Sequence, residues 1–369
     1  MSASAVAGII FANVHDELML GLTERRSMAS LPFGGRYRLI DFPLSNLVNA
    51  GVTTIGLITK ENYRSLLDHI GSGTHWDLDR KNGGLHLMPP YNYVGAKRQR
   101  SYVDSLYSAM NFVERSNADY IVTYNADIIA NVDIADAVLS HVKNNADITI
   151  IYNHGILSEN HTDLATLSID DGIVNEISFE KSEGEVDFGL GIFVYSKEAL
   201  KKIVERGYDH NDDSIYDSIR KAKEQFKIMA YNHKGFVAVM DSGKSYYEAN
   251  MKLLDASVRR DLFNKERPIL TKTRDDMPTR YGTKSKVSNS YIADGCVIEG
   301  TVKNSVLFRG VTVEKGVVVE NSILMQGTKI GANTKLDYVI SDKNAVIGDE
   351  MTVKGNAEKP FLIQKNQTL

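Results

Sequence analysis

From Val6 to Phe11 the chain is an unbroken apolar run, and comparable runs recur at 53–59, 120–124, 147–152, 190–195 and 236–240. Short continuous runs of this kind suit strands covered on both faces, so the pattern predicts strands at 5–11 and at each of those later positions. Between them the apolar spacing predicts helices over 44–50, 103–116, 134–143, 197–205 and 245–259. The alternation implies βαβ units, a Rossmann-like α/β domain over residues 1–262 with a mostly parallel sheet, and ligands at the carboxyl ends of the strands. Residues 263–286 follow neither period. From Glu266 to Lys286 they hold Pro268, Pro278, Gly282 and six Lys or Arg residues, which reads as a linker.

Beyond the linker the period changes. Ile292, Val297, Val302, Leu307, Val313, Val319, Leu324, Ile330 and Leu336 succeed one another at steps of about six, and after one skipped position Ile347 and Val353 resume the series. Glycine-containing turns such as Asp294-Gly295, Glu299-Gly300, Arg309-Gly310 and Lys315-Gly316 fall between them. One inward aliphatic per short strand is the mark of a parallel β-helix, whose rungs stack because none can bury its face alone. Residues 287–369 are therefore expected to form hexapeptide coils. Acyl transfer on such a coil wants a histidine base, and no histidine follows His233; a structural or subunit-contact role is expected instead.

Length and composition narrow the partners. With 369 residues, 43% hydrophobic and 24% charged, the chain can bury two cores. A net charge of −4 with mixed signs gives no reason to expect nucleic acid or an anionic membrane, and the expected location is the cytoplasm. Cys296 is the single cysteine and, set among aliphatics, reads as a buried inert thiol.

The first strand raises a chemical question. A phosphate-binding loop after such a strand should be glycine-rich, so that backbone N–H groups approach the anion. Here the chain continues Asn13-Val14-His15-Asp16-Glu17. The segment Leu31-Pro-Phe-Gly-Gly-Arg-Tyr-Arg-Leu-Ile-Asp-Phe-Pro-Leu-Ser-Asn46 resembles glucose-1-phosphate adenylyltransferase (ADP-glucose pyrophosphorylase). The likeness continues through Asp68-His-Ile-Gly71, Phe179-Glu-Lys181, Gly191-Ile-Phe-Val194, Tyr247-Glu-Ala-Asn-Met251 and Gly295-Cys-Val-Ile-Glu-Gly300.

The resemblance implies a nucleotidyltransferase domain followed by a left-handed β-helix. In catalytic members it implies attack of glucose 1-phosphate on the α-phosphate of ATP with Mg²⁺, a reaction that needs positioning and charge neutralisation. By the same resemblance Asp127 and Asp241 are the metal carboxylates, Arg26 a catalytic cation, and Glu180, Lys181, Gly191 and Asp104 contacts to substrate. The ATP side departs from the family. Its glycine-rich loop is replaced over Asn13 to Leu22, where Asp16 and Glu17 would set negative charge beside a triphosphate, at a cost of about 4 kcal/mol for a contact near ~4 Å at an effective dielectric of ~20. Met28 stands where the family has a lysine facing the phosphates, Tyr102 in Ser101-Tyr102-Val103-Asp104-Ser105 would fill nucleotide space, and Gly189-Leu190-Gly191 replaces the sugar-site Ser-Met-Gly.

These losses are similar to those of the GlgD-type subunit, the regulatory branch of the family in bacterial glycogen synthesis. That implies a hetero-oligomer, expected to be a tetramer, with a catalytic subunit, and a sugar phosphate or other phosphorylated effector. Two other readings stand beside it: a competent adenylyltransferase with a divergent ATP loop, and a sugar-phosphate sensor. His15 is expected to be an exposed loop histidine and Trp76 a packing residue. Lys97-Arg98-Gln99-Arg100 reads as a solvated run or an effector site, and Arg36 and Arg38 as partners of acidic groups or of an anion.

Overall fold

The computed structural model describes residues 6–12, 14–19, 21–59, 62–89, 101–157, 164–180 and 184–369. Asn13, Lys181 and the basic run 97–100 lie outside the described residues.

The strands of the first domain are β1 (Val6–Phe11), β2 (Pro32–Phe33), β3 (Tyr37–Arg38), β4 (Thr54–Ile58), β5 (Gly84–Met88), β6 (Tyr120–Asn125), β7 (Ile128–Ala130), β8 (Ile148–Ile156), β9 (Thr166–Asp170), β10 (Ile173–Ser178), β11 (Glu185–Ser196), β12 (Ile228–Asn232) and β13 (Val237–Val239). Nine of them form one sheet in the order β5-β4-β1-β6-β11-β8-β12-β10-β9. The half from β5 to β6 is parallel, with Phe11 opposite both Ile58 and Asn125, so three strand ends meet at one edge. β11 then runs antiparallel to β6 and β8, a reversal that the apolar run 190–195 could not reveal. β1 is buried from Ala7 to Phe11 because helices cover both faces, which is why its sequence does not alternate.

The run read as a strand at 236–240 does not join this sheet. β13 pairs antiparallel with β7, Val239 opposite Ile128, and Met240 N donates to Asp127 O at 2.9 Å. This small ribbon carries Asp241 to the end of β6. The helix expected over 103–116 is two, Tyr102–Ser108 and Met110–Arg115, and the one expected over 245–259 is Gly243–Lys252 followed by Ala256–Leu262.

From Arg280–Tyr281 onward, inside the stretch assigned to the linker, the chain coils into a left-handed parallel β-helix of three five-stranded sheets. The inward row of one sheet runs Leu307, Leu324, Ser341, Ile363, and Ser341 accounts for the skipped position in the repeat. Its hydroxyl lies 2.8 Å from that of Thr328, so the buried polar group has a partner. At the second rung Ile298, fully buried, points inward in place of the expected Val297. Cys296 is buried as expected, and burial pushes its thiol upward.

The coil packs directly on the first domain. Phe308, Ile323, Met325 and Ile340 share one apolar cluster with Met19, Leu22, Met28, Phe33, Tyr246 and Leu253. Burial of that many large side chains, each worth about 1.5–3 kcal/mol, makes the contact part of the core.

Candidate functional site

A cavity of about 250 Å³ opens at the carboxyl ends of β1, β4 and β6, lined by Phe11, Ile58, Asn125, His15, Tyr102 and Tyr216 among others. That is below the ~300–1,000 Å³ usual for a drug-sized ligand. The reduction has visible causes. Ser101 caps the helix Tyr102–Ser108, its hydroxyl accepting from Asp104 N at 3.0 Å while the Asp104 carboxylate accepts from Ser101 N at 3.2 Å. The first helical side chain, Tyr102, is thereby set against Phe11, ring centroids 3.8 Å apart and nearly parallel. Its hydroxyl end is buried beside Thr123 and Tyr195, and burial raises the phenol well above its ordinary value. The Tyr102 ring thus occupies part of this cavity, and Asp104, expected to touch substrate, closes a capping box.

The side of the cavity around Gly189 and Gly191 is filled as well. Gly191, at φ 66 in the left-handed region, lines the cavity, and its N–H donates to Tyr216 Oη at 3.0 Å. A Cβ on Gly189 would lie 2.0 Å from that oxygen, so the tyrosine occupies the volume a side chain at 189 would need. Gly189→Ala is expected to destabilise the protein by about 1–3 kcal/mol through overpacking, read from the denaturant midpoint. An unchanged midpoint would mean the phenol moves aside freely. Tyr216 belongs to no motif read from the sequence; it stands in the first turn of the helix Ile215–Lys221, which brings its ring over the strand ends.

Asp127 and Asp241 both come to the same edge, at 1% and 3% exposure, brought together by the β7–β13 ribbon. Asp241 Oδ1 accepts from Ser242 Oγ at 2.9 Å. His15 contradicts the expectation of an exposed loop residue. It is buried, at φ 59, with Nδ1 donating to Asp127 Oδ2 at 2.6 Å.

The rest of the altered loop also turns out differently. Asp16 Oδ1 accepts from Met28 N at 2.6 Å, so this carboxylate is directed onto the chain rather than toward a phosphate; Glu17 alone of the pair borders the cavity. Met28 is fully buried in the interdomain cluster and faces no phosphate path. Arg26 points away from the cavity and pairs with Asp342 of the β-helix, side chains 5% and 1% exposed. Met28 and Arg26 lie here because the loop packs onto the coil, with Met19 and Leu22 in the same apolar cluster. Glu180 is exposed, its N–H donating to Ser178 Oγ at 3.1 Å, and it does not line the cavity. Trp76 is buried, edge-on to His69.

A second cavity, about 360 Å³, lies between the domains and is strongly cationic: Arg36, Arg38, Lys272, Arg274, Arg309 and Lys343 line it, with Asp68 and His69. Arg38 Nη1 donates to Ser65 O at 2.5 Å, and burial lowers the guanidinium to about 10. Burial, then the neighbouring Arg38 and Arg26, push the Lys343 ammonium down to about 7. Burial is the larger cause, and part of the cleft's charge is already balanced, since Arg36 pairs with Asp294 at 2.9 Å and Arg309 with Asp276 at 3.4 Å. Sequence reading reached Arg36 and Arg38 but not Lys343 or Arg309, which sit on coils whose outward side chains carry no period.

Comparison with known proteins agrees with this architecture. Residues 9–256 match the Nucleotidyl transferase family and residues 276–360 the "GlmU-like, C-terminal hexapeptide" family. The chain is 38% identical over 360 residues to the Glycogen biosynthesis protein GlgD of Geobacillus stearothermophilus, covering 97% of this chain and 95% of that one. It is 34% identical over 375 residues to the GlgD of Bacillus subtilis, 99% and 97% covered. To the Glucose-1-phosphate adenylyltransferase of Bacillus thuringiensis (strain Al Hakam) it is 33% identical over 347 residues, 90% and 89% covered. The chain belongs to the glucose-1-phosphate adenylyltransferase family. Nucleotidyltransferases of this family generally use Mg²⁺, and the resemblance assigns Asp127 and Asp241 as the side chains to hold it. The donor set as it stands does not fit. One oxygen of Asp127 is taken by His15, and Asp241 Oδ1 already accepts from Ser242 Oγ. No helix among the described residues is long and apolar enough to cross a membrane.

Proposed function

We propose that this chain is the regulatory subunit of ADP-glucose pyrophosphorylase in bacterial glycogen synthesis, weakly active or inactive alone and acting in the cytoplasm by assembly with a catalytic subunit. The observation that carries the reading is the Tyr102 ring stacked on Phe11 at the strand ends, where a family member must seat its nucleotide. The high coverage of the GlgD-named relatives supports it. Mg²⁺ is not a working cofactor of this chain, and the chain's contribution to the assembly is conformational: it biases the partner between states of different activity.

The cationic cleft between the domains is the site for a phosphorylated effector, held by guanidinium forks and lysine point charges. Because the cleft is walled by both domains, an anion there changes how the coil sits on the nucleotidyltransferase domain. The coil supplies contacts for a tetramer with the catalytic subunit.

The second reading, a competent adenylyltransferase with a divergent loop, draws on Asp127 and Asp241 meeting at one edge. The sensor reading draws on the cleft alone. ADP-glucose formation by the purified chain, alone and mixed with a catalytic subunit, separates them. The expected result is a rate alone at least about a hundredfold below that of the catalytic subunit, given several lost preorganised groups, and a changed rate or effector response in the mixture. Rapid turnover alone would overturn the regulatory reading, and a mixture indistinguishable from the catalytic subunit would favour the sensor.

A further inference from the structure

We infer that the imidazole of His15 stands in for the divalent metal on Asp127 and excludes it from this chain. The inference rests on the reading above only in taking Asp127 and Asp241 as the family's metal carboxylates. Its own evidence is geometric. His15 Nδ1 lies 2.6 Å from Asp127 Oδ2, and both side chains are buried. The carboxylate accepts, so the nitrogen donates a proton to the oxygen a metal would otherwise take.

The loop is built to hold the ring there. His15 sits at φ 59, in the left-handed region that costs a side chain some energy even for histidine, which enters it more readily than most residues. Around it Leu18 N donates to His15 O at 3.0 Å, Thr23 Oγ1 to Asp16 O at 2.6 Å, and Met28 N to Asp16 Oδ1 at 2.6 Å. Farther along, the buried Arg26–Asp342 pair ties the same loop to the β-helix. A strained residue persists only where its surroundings over-determine it, and these bonds do so.

Mg²⁺ requires near-octahedral oxygen ligands at ~2.0–2.1 Å and keeps several waters. A five-membered ring within hydrogen-bond distance of Oδ2 occupies the volume those waters need. The remaining oxygen, Asp127 Oδ1, has no hydrogen-bond partner among the described residues, which leaves one free donor atom on that carboxylate. One oxygen of Asp127, beside an Asp241 whose Oδ1 already accepts from Ser242 Oγ at 2.9 Å, is a poor match for a dication that must shed water. Histidine thus supplies the hydrogen bond that keeps a buried carboxylate satisfied once the metal is gone.

The test uses Mn²⁺ as probe, with the full chain at fixed pH and the free ion followed by electron paramagnetic resonance. The wild-type chain is expected to take up no more Mn²⁺ than Asp127→Asn. His15→Gly, which removes the ring and suits the left-handed backbone, is expected to take up about one Mn²⁺ per chain with at least ~10-fold higher affinity, and His15→Gly/Asp127→Asn to lose it again. His15→Asn, also tolerant of that backbone, serves if the glycine variant does not fold, with the same direction expected. Uptake by the wild type that depends on Asp127, or a folded ring-less variant that gains none, would overturn the inference. ADP-glucose formation recorded on the same samples keeps the two readings apart: Asp127-dependent Mn²⁺ uptake by the wild type without turnover overturns this inference alone, and turnover by the wild type overturns the regulatory one.

Discussion

An Asp342→Ala variant is expected to lose about 3–5 kcal/mol of stability, and Arg26→Ala less. The two side chains form a buried ion pair joining the altered loop to the β-helix. Removing one member of such a pair leaves the other charge uncompensated in a poorly solvated site. The asymmetry follows from the neighbours. Arg26 is surrounded by like charge from Arg38 and Lys343, both of which it pushes down. Asp342 is better placed if its partner goes, since its Oδ1 accepts from Lys343 N at 2.6 Å and the Lys343 ammonium lies close by. Urea denaturation of the two variants checks the magnitude and the order. Equal, sub-kilocalorie losses would mean the pair contributes little and the apolar cluster alone holds the domains together.

What the sequence disclosed and concealed divides along a physical line. Val6–Phe11 and Tyr120–Asn125 are legible because both faces of a parallel strand are covered, so the run is apolar throughout. The coils are legible because each rung repeats one inward position. Gly84–Met88 escapes notice as a half-covered edge strand with His86 pointing outward. The reversal at β11 is invisible because strand direction leaves no local trace.

At the site, the carboxylates Asp127 and Asp241 could be placed because both end apolar runs. The direction of a loop side chain could not. Met28 resembles a lost phosphate contact by its position in the motif, yet it belongs to the interdomain core, where a lysine would be buried among Phe33, Met240 and Ile323. Arg26 finds a partner 316 residues away, a contact no local spacing encodes. His15 reads as a solvated residue until the loop folds back over β6.

Sulfate is expected to bind the cationic cleft with an affinity that falls as the pH rises above about 7, by up to about tenfold per unit if one proton is taken up. Lys343 is the group responsible: burial and its cationic neighbours lower it to about 7 from its ordinary 10.5. Between those values the unfolded chain holds a proton that the folded, ligand-free chain does not. Ligand-free stability therefore rises with pH across that window, and the full cost of the buried ammonium is present below 7. A bound dianion reverses the balance by drawing the proton onto Lys343, so binding above pH 7 is coupled to proton uptake. Sulfate suits the measurement because its own charge is constant over this range, whereas phosphate titrates. Calorimetry at constant ionic strength in two buffers of different ionisation enthalpy should show the uptake directly. Lys343→Ala should weaken binding about tenfold below pH 7 and remove most of the pH dependence, while Arg38→Ala, which loses a guanidinium anchored on Ser65, should weaken binding and keep it. A flat affinity from pH 6 to 9 in the unaltered chain would place the anion away from Lys343, and would leave the interdomain cleft without a role in sensing.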